Sequence, residues 1–451
     1  MVMVRWMFAA SALLASLSGG ELDFGTATVG LYVVDSRTGK VLLEQGCNQS
    51  LVPASCMKVV TTGAALELLG PNMRFETRLV YDGAIEKGLL KGNLCIVGGG
   101  DPTLGSERFG GSWQQQIASW CDAVEKAGIR EIEGEVIGDD SRWERAMAPT
   151  GWGWEDIGNY YGAGASALSF HENSYSLFFR PAAEVGEMAT VLRLEPTVPG
   201  LFLESEVGTG PVGSGDRACI YGSEYALLQR VRGTIPAGVS EFSIRGAIPD
   251  PASTAALLLK QALEARGIQV VHRSFSHQQN STVLHTTYSP PLAKILYWTN
   301  RRSINLYAEH LLKRMGEQQL GEGSTRAGIE AVTQFWRSKG IDLTGFRMED
   351  GSGLSRTNLI SAKQLVAILC KMKESSHFPL FLETLPEKKE LFRLKPGGMK
   401  LVGGYAGYGG DLVFAVLVNN TQDPRPSEKL DRFLAKLVNI IISDHSQETD
   451  Q

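Results

Sequence analysis

The sequence predicts an α/β fold: an antiparallel sheet covered by helices, assembled from both ends of the chain and split by a largely β insertion. Three observations predict it. An apolar hairpin and a helix open the chain. Short β-type runs separated by glycine-rich turns fill roughly residues 72–289. After Pro290, helices return around one continuous apolar strand.

The elements follow in order. Val29 to Asp35 is apolar and β-branched, Ser36 to Gly39 is a turn, and Lys40 to Glu44 returns as the second strand of a hairpin. Ser55 to Leu69 is rich in Ala, Leu and Val and is stopped by Gly70-Pro71, which predicts a helix. In the insertion, Phe75 to Tyr81, Leu89 to Val97, Ile129 to Gly138 and Ser174 to Arg180 read as strands. Ala255, Leu258, Leu259, Ala262 and Leu263 line one helix face ahead of Gly267. Ala308 to Met315, Ile329 to Lys339 and Ser361 to Lys373 read as helices, and Leu412 to Val418 as a central strand. Ser427 to Ile442 closes the chain with Leu430, Phe433, Leu434, Leu437, Val438 and Ile441 on its apolar face.

Composition excludes several function classes. In 451 residues, 44 basic side chains face 49 acidic ones, a net charge of −5, so no basic excess exists to neutralise nucleic-acid phosphates. Beyond the N-terminus no apolar run reaches the roughly 18 residues of a membrane span. Met1 to Trp6 carries one cation, Arg5; Met7 to Leu17 is apolar; Ser16, Ser18 and Gly19 are small. That pattern predicts an export signal over residues 1–20. The six cysteines form no C-x-x-C and share no zinc-ligand spacing with the seven histidines. H-E-x-x-H is absent, and GGGDPTLG (Gly98 to Gly105) lacks the Gly-Lys-Ser/Thr of a phosphate loop. No metal or cofactor is expected.

Three short motifs carry chemistry. Ser55-Cys56-Met57-Lys58 puts a serine and a lysine on one helix face. Serine needs an adjacent base to act as a nucleophile, and lysine serves as that base when burial or a nearby cation lowers its pKa. Free N–H groups at a helix start favour a developing anion there. Ser303-Ile304-Asn305 offers a hydroxyl to relay a proton and an amide to hold a carbonyl. Lys395-Pro396-Gly397-Gly398 precedes the apolar strand, where a cation attracts a carboxylate and glycine lets the backbone approach a ligand. Each motif alone is equally a helix cap, a loop edge or a surface turn. Their order, S-x-x-K then S-x-N then K-x-G, is the active-site set of penicillin-binding proteins and class A β-lactamases.

On these motifs the chain resembles the class C low-molecular-mass penicillin-binding proteins, the D-alanyl-D-alanine carboxypeptidase/endopeptidases. The resemblance also rests on PASCMKVVTTGAALELLGP (Pro53 to Pro71), GGGDPTLG, GDDSRW (Gly138 to Trp143), GWGWEDIGNYYGA (Gly151 to Ala163), SALSFHEN (Ser166 to Asn173), SINLYAEHLL (Ser303 to Leu312), DGSGLSRTN (Asp350 to Asn358) and YAGY (Tyr405 to Tyr408). It implies a serine β-lactamase-like catalytic domain over 21–72 and 288–445. An inserted domain II would span 73–165 and 245–287, with a domain III nested at 166–244. It further implies an exported hydrolase, on the periplasmic or cell-wall side of the membrane, acting on peptidoglycan stem peptides and acylated by β-lactams. Ser55 would be the nucleophile and Lys58 its base. Ser303 and Asn305 would pass the proton and hold the substrate amide, and Lys395 would supply positive charge. The N–H groups of Ser55 and Gly398 would form an oxyanion hole. Asp156 and Tyr161 match positions that recognise the amino end of a diaminopimelate-like side chain.

The third motif departs from the family pattern Lys-Thr-Gly-Thr. Pro396 and Gly398 replace both threonines, and losing a donor to a charged group costs roughly 1.5–3 kcal/mol. The expectation is weakened carboxypeptidase action, a preference for internal cross-links, or a relative that binds peptidoglycan peptides without turnover. A β-lactamase using the same serine would need a carboxylate to activate its deacylating water, and none is identified.

Overall fold

The opening hairpin pairs Thr28–Asp35 (β1) with Val41–Gln45 (β2), antiparallel and bulged between Val33 and Val34, in a computed structural model describing residues 24–273 and 281–448. The export signal predicted for residues 1–20 lies outside the described residues. The chain divides into two units: residues up to 70, 296–304 and from 329 onward; and residues 71–295 with 305–328.

The first unit is built on one six-stranded sheet. Glu387–Lys388 (β3), Phe392–Met399 (β4), Val402–Gly409 (β5) and Leu412–Asn419 (β6) join the hairpin in the order β3-β4-β5-β6-β1-β2. Every neighbouring pair is antiparallel. The predicted central strand is central: β6 pairs with β1 from Thr28 opposite Asn419 to Asp35 opposite Leu412. The two ends of the chain therefore meet inside one sheet, and an insertion between them leaves the ladder intact. All residues of β5 and β6 are buried, as strands covered on both faces must be.

Alternation sorts β6 into two faces. Leu412, Phe414, Val416 and Val418 join Phe24, Leu31, Val33 and Phe392 beneath the closing helix Pro426–Glu448. Leu430, Phe433, Leu434 and Leu437 of that helix are buried there, and the side chain of Ile441 lies outside the described residues. On the other face lies the helix Ala362–Lys373, capped by the reciprocal pair Ser361 and Gln364. Beside it lies Met57–Leu69 (α1), buried from Met57 to Leu66, which is why it shows no amphipathic stripe. The predicted start of this helix at Ser55 is corrected by two residues. Ala54–Cys56 form a 3₁₀ turn, because Ala54 is held at φ +46° and cannot open an α-helix. Gly70, at φ +79°, ends α1.

The second unit holds two separate apolar cores. One gathers Leu79, Ile96, Trp120, Ile132, Phe170 and Leu259 between short strands and two helices, Trp113–Lys126 and Pro251–Ala265. The other gathers Tyr175, Leu177, Phe179, Val207, Val231 and Ile244 between two three-stranded sheets. The insertion is thus less purely β than expected. Trp113–Lys126, capped by Ser112, buries Ile117, Trp120, Cys121 and Val124 at helical spacing. The predicted strand Leu89 to Val97 is two strands, Leu89–Lys91 and Leu94–Val97, in different sheets. The break is at Gly92, where a Cβ would lie 2.2 Å from the Asp82 carbonyl oxygen.

Candidate active site

Ser55 sits in the 3₁₀ turn before α1, half-buried, and Lys58 lies one turn on, fully buried. Lys58 Nζ is 3.3 Å from Ser55 Oγ, the hydroxyl–amine contact that the i, i+3 spacing predicted. The same Nζ donates to the Ser352 carbonyl oxygen at 2.7 Å. That carbonyl belongs to a tightly tied loop. Asp350 accepts from the N–H of Gly353 at 2.7 Å and of Ser355 at 2.6 Å, and from Asn358 Nδ2 at 2.9 Å. Gly353 runs at φ +84°, and a Cβ there would meet the Ala54 carbonyl oxygen at 1.9 Å, so only glycine lets the loop reach the Ser55 turn. Sequence reasoning quoted this loop as a motif but gave Ser352 no role. The Asp-Gly-Ser-Gly run was a turn signal, but a carbonyl's partner 294 residues away in the chain has no local signature.

Lys395, on β4, is also fully buried, and its Nζ donates to Ser303 Oγ at 2.9 Å and to the Pro396 carbonyl oxygen at 3.0 Å. Burial pushes its pKa down to about 8, against a smaller opposite influence of Cys56. Cys56, between Ser55 and α1, donates its S–H to the Lys395 carbonyl oxygen at 3.4 Å and so ties the 3₁₀ turn to β4. Burial pushes that thiol up to about 12, so it stays protonated. Lys395 and Gly397 point to one face of β4, and Pro396 and Gly398 to the other. A Cβ on Gly397 would lie 2.6 Å from the Pro53 carbonyl oxygen and 3.0 Å from the Cys56 nitrogen. A Cβ on Gly398, an exposed residue, would have nothing within 4 Å. Ser303 is held at φ +55°, like Ala54 a non-glycine residue in the left-handed region. Such positions cost about 1–3 kcal/mol each and persist where surrounding contacts dictate them.

The unit boundary falls inside the S-x-N triplet: Ser303 belongs to the first unit and Asn305 to the second. Asn305 opens the helix Asn305–Leu320, and its Nδ2 donates to the Tyr161 carbonyl oxygen at 2.8 Å. The Tyr161 hydroxyl is hydrogen-bonded to Asp156; burial first, then that carboxylate, raises the phenol far above its ordinary pKa. The first unit thus holds Ser55, Lys58, Ser303, Lys395 and Gly398, with two hydroxyl–amine pairs. The second gathers Asn305, Tyr161 and Asp156.

A family model described as the D-Ala-D-Ala carboxypeptidase 3 (S13) family matches residues 12–387. The chain is 28% identical over 446 residues to a D-alanyl-D-alanine carboxypeptidase of an Actinomadura species, covering 91% of this chain and 81% of that protein. It is 24% identical over 367 residues to D-alanyl-D-alanine carboxypeptidase DacB of Haemophilus influenzae, covering 80% of this chain and 74% of that one. The crystal structure of penicillin-binding protein 4 (dacB) from Haemophilus influenzae shares the fold with a TM-score of 0.79 at 22% identity, over 95% of this chain and 99% of the other.

Proposed function

The chain belongs to the D-Ala-D-Ala carboxypeptidase 3 (S13) family, the class C low-molecular-mass penicillin-binding proteins, and from that premise we propose that it is an exported serine DD-peptidase working through an acyl-enzyme on Ser55. Its substrates are peptidoglycan stem peptides, its place is the periplasmic or cell-wall side of the membrane, and penicillins acylate it. The observation that carries the reading is the double pairing of Lys58 with Ser55 at 3.3 Å and Lys395 with Ser303 at 2.9 Å within one unit.

Ser55 Oγ attacks the carbonyl of a D-Ala–D-Ala peptide bond while Lys58 Nζ takes its proton. The N–H groups of Ser55 and Gly398 receive the oxyanion, a contribution of about 3 kcal/mol per donor. The C–N bond breaks as the proton passes through the Ser303 hydroxyl, oriented by the Lys395 ammonium, to the leaving amine. Water then attacks the ester, returns a proton to Ser55 and releases the acid. Asn305 holds the amide of the bound peptide, and Asp156 with Tyr161 receives a side-chain ammonium. The catalytic domain takes 21–72 and 288–445, domain II takes 73–165 and 245–287, and domain III takes 166–244. The two separate cores of the insertion support two inserted domains, with Phe170 packed in the first core, Ile248 in the second, and residues 305–328 grouped with the insertion.

Pro396 and Gly398 give the outer face of β4 no hydroxyl, and the space beside Gly398 is open. Neither Pro396 nor Gly398 offers a terminal carboxylate a side-chain donor, whereas a peptide continuing past the scissile bond finds room beside Gly398. The enzyme therefore cleaves internal cross-links in preference to terminal D-Ala. The same face favours a second reading, a weakly active or non-catalytic binder of peptidoglycan peptides.

Intact-mass measurement after incubation with penicillin, and separately with a muropeptide ending in D-Ala–D-Ala and with its cross-linked dimer, tests both. One covalent penicillin per chain is expected, absent in Ser55→Ala, with the dimer cut faster than D-Ala is released. Labelling that survives Ser55→Ala removes Ser55 as nucleophile. Peptide binding with no cleavage of either substrate establishes the binder.

A further inference from the structure

We infer that Glu172 and Tyr307 are positioning residues that set the Asn305 side chain, an inference that rests on the role proposed for Asn305. Three consecutive non-glycine residues, His171, Glu172 and Asn173, run at φ +51°, +54° and +47°. Left-handed conformations of this kind persist only where the surroundings over-determine them. His171 and Asn173 are held by the Gly105 and Gly164 carbonyls and by Ser169, and the middle residue by its carboxylate. Glu172 Oε1 accepts from Ser106 Oγ at 2.7 Å, from Arg108 Nε at 2.8 Å and from the Tyr307 hydroxyl at 2.7 Å. Tyr307 is completely buried, and burial with the Glu172 charge keeps its hydroxyl protonated and donating.

Tyr307 lies in the first turn of the helix Asn305–Leu320, two residues after the amide that reaches the Tyr161 carbonyl. The next residues at i+3 steps are anchored to the same stretch of chain. His310 Nε2 meets Ser169 Oγ at 2.8 Å, and Asn173 Nδ2 donates to that hydroxyl at 2.8 Å. Burial pushes the His310 pKa down to about 3, so the ring is neutral, with Nδ1 2.8 Å from the Leu306 carbonyl oxygen and Nε2 within 3.1 Å of both Ser169 Oγ and the Ser166 carbonyl oxygen. Lys313 Nζ donates to the carbonyls of Ala146 at 2.6 Å and Ala165 at 3.1 Å. The stretch 144–173 is therefore bonded to the helix at four levels, and Tyr161 lies within it. The depth and register of Asn305 relative to the Tyr161 carbonyl are fixed by this polar seam, and its first rung is the Tyr307–Glu172 bond.

The test is a double-mutant cycle on the second-order rate of penicillin acylation in the full chain. Tyr307→Phe removes one hydroxyl without changing ring volume. It is expected to slow acylation about tenfold in the parent and less than twofold in an Asn305→Ala background, because a residue acting through Asn305 has nothing left to position there. Glu172→Gln, which keeps an acceptor oxygen, should lose less than Glu172→Ala. Equal slowing in both backgrounds, or no slowing in either, overturns the inference. Hydrogen exchange gives a reading independent of activity: Tyr307→Phe should speed exchange at residues 305–309 and 160–162 while the thermal midpoint stays within a few degrees. Unchanged exchange at those residues also overturns it. Failure of the parent to take up penicillin while exchange responds refutes the proposed function and leaves the positioning link standing.

Discussion

Lys395 in the first unit and Lys313 in the second are both buried lysines whose pKa burial lowers, and they differ in what receives the ammonium. Lys313 has two carbonyl oxygens and, at 3.3 Å, the Glu144 carboxylate, which pushes its pKa back up. Lys395 has a hydroxyl and a carbonyl, and its pKa falls to about 8. A neutralised ion pair fixes two strands of chain together. A cation held only by neutral oxygens keeps its field for whatever anion arrives. The two lysines therefore differ in the partner, and the catalytic role proposed for Lys395 rests on that difference.

The largest expected effect breaks that comparison directly. Lys395→Met should slow penicillin acylation roughly 10³-fold, the upper range for losing one preorganised charge, without lowering the thermal midpoint, because a buried cation is replaced by an isosteric apolar chain. A loss under tenfold would place Lys395 among the structural lysines.

The pH dependence comes next. Below about 8 the lysine is protonated in both folded and unfolded chains and contributes no slope. Between about 8 and its ordinary 10.5 the unfolded chain binds a proton that the folded one lacks, so stability rises with pH. The rise attributable to this group is on the order of 3 kcal/mol, and it should vanish in Lys395→Met when both proteins are unfolded in urea from pH 7 to pH 10.5. Acylation runs the opposite way. It needs the ammonium, so its rate should fall as pH rises through about 8, and a rate that climbs there would make Lys395 a base.

Lys313→Met sharpens the contrast from the other side. It leaves Glu144 and two carbonyls without their cation, and because Glu144 is partly solvated the cost should be about 2 kcal/mol rather than the 3–5 of a fully buried pair. Chemical denaturation measures it. Acylation per folded molecule should fall less than in Tyr307→Phe, because Lys313 is the last level of the seam and Tyr307 the first.

The same distinction governs what the sequence could disclose. The hairpin, the buried helix behind Ser55 and the strand Leu412–Asn419 were legible because their signals are local: β-branched runs, a Gly-Pro stop, eight successive apolar-rich residues. The motif serines and lysines were legible from order along the chain, which is also local reading repeated three times. What escaped is tertiary. The strand break at Gly92 comes from the Asp82 carbonyl beneath it, and the turn at Ala54 from a loop that closes over it at Gly353. The partners of Lys58 and Asn305 include main-chain carbonyls of Ser352 and Tyr161, and a carbonyl looks the same in every residue. The helix Trp113–Lys126 did carry a signal, a Ser112 cap and apolar residues at 3.6 spacing, hidden by the glutamines and serine between them.

The smallest expected effect concerns two adjacent glycines that the sequence cannot tell apart. Gly397 backs onto the Ser55 turn, where a Cβ would press on the Pro53 carbonyl and the Cys56 nitrogen, whereas Gly398 faces open space. Gly397→Ala should therefore reduce acylation while Gly398→Thr folds normally, its new hydroxyl free to meet a substrate carboxylate. One hydrogen bond to a charged group is worth about 1.5 kcal/mol at the low end, so Gly398→Thr should raise D-Ala release from a terminal peptide about tenfold. Cleavage of the cross-linked dimer, which presents no carboxylate at that point, should stay unchanged or fall. The ratio of the two rates is the informative quantity, since expression, folding and the intrinsic reactivity of Ser55 cancel from it. If both rates rise together, the hydroxyl acts on the nucleophile and not on the carboxylate, and the open edge at Gly398 is not what selects the substrate.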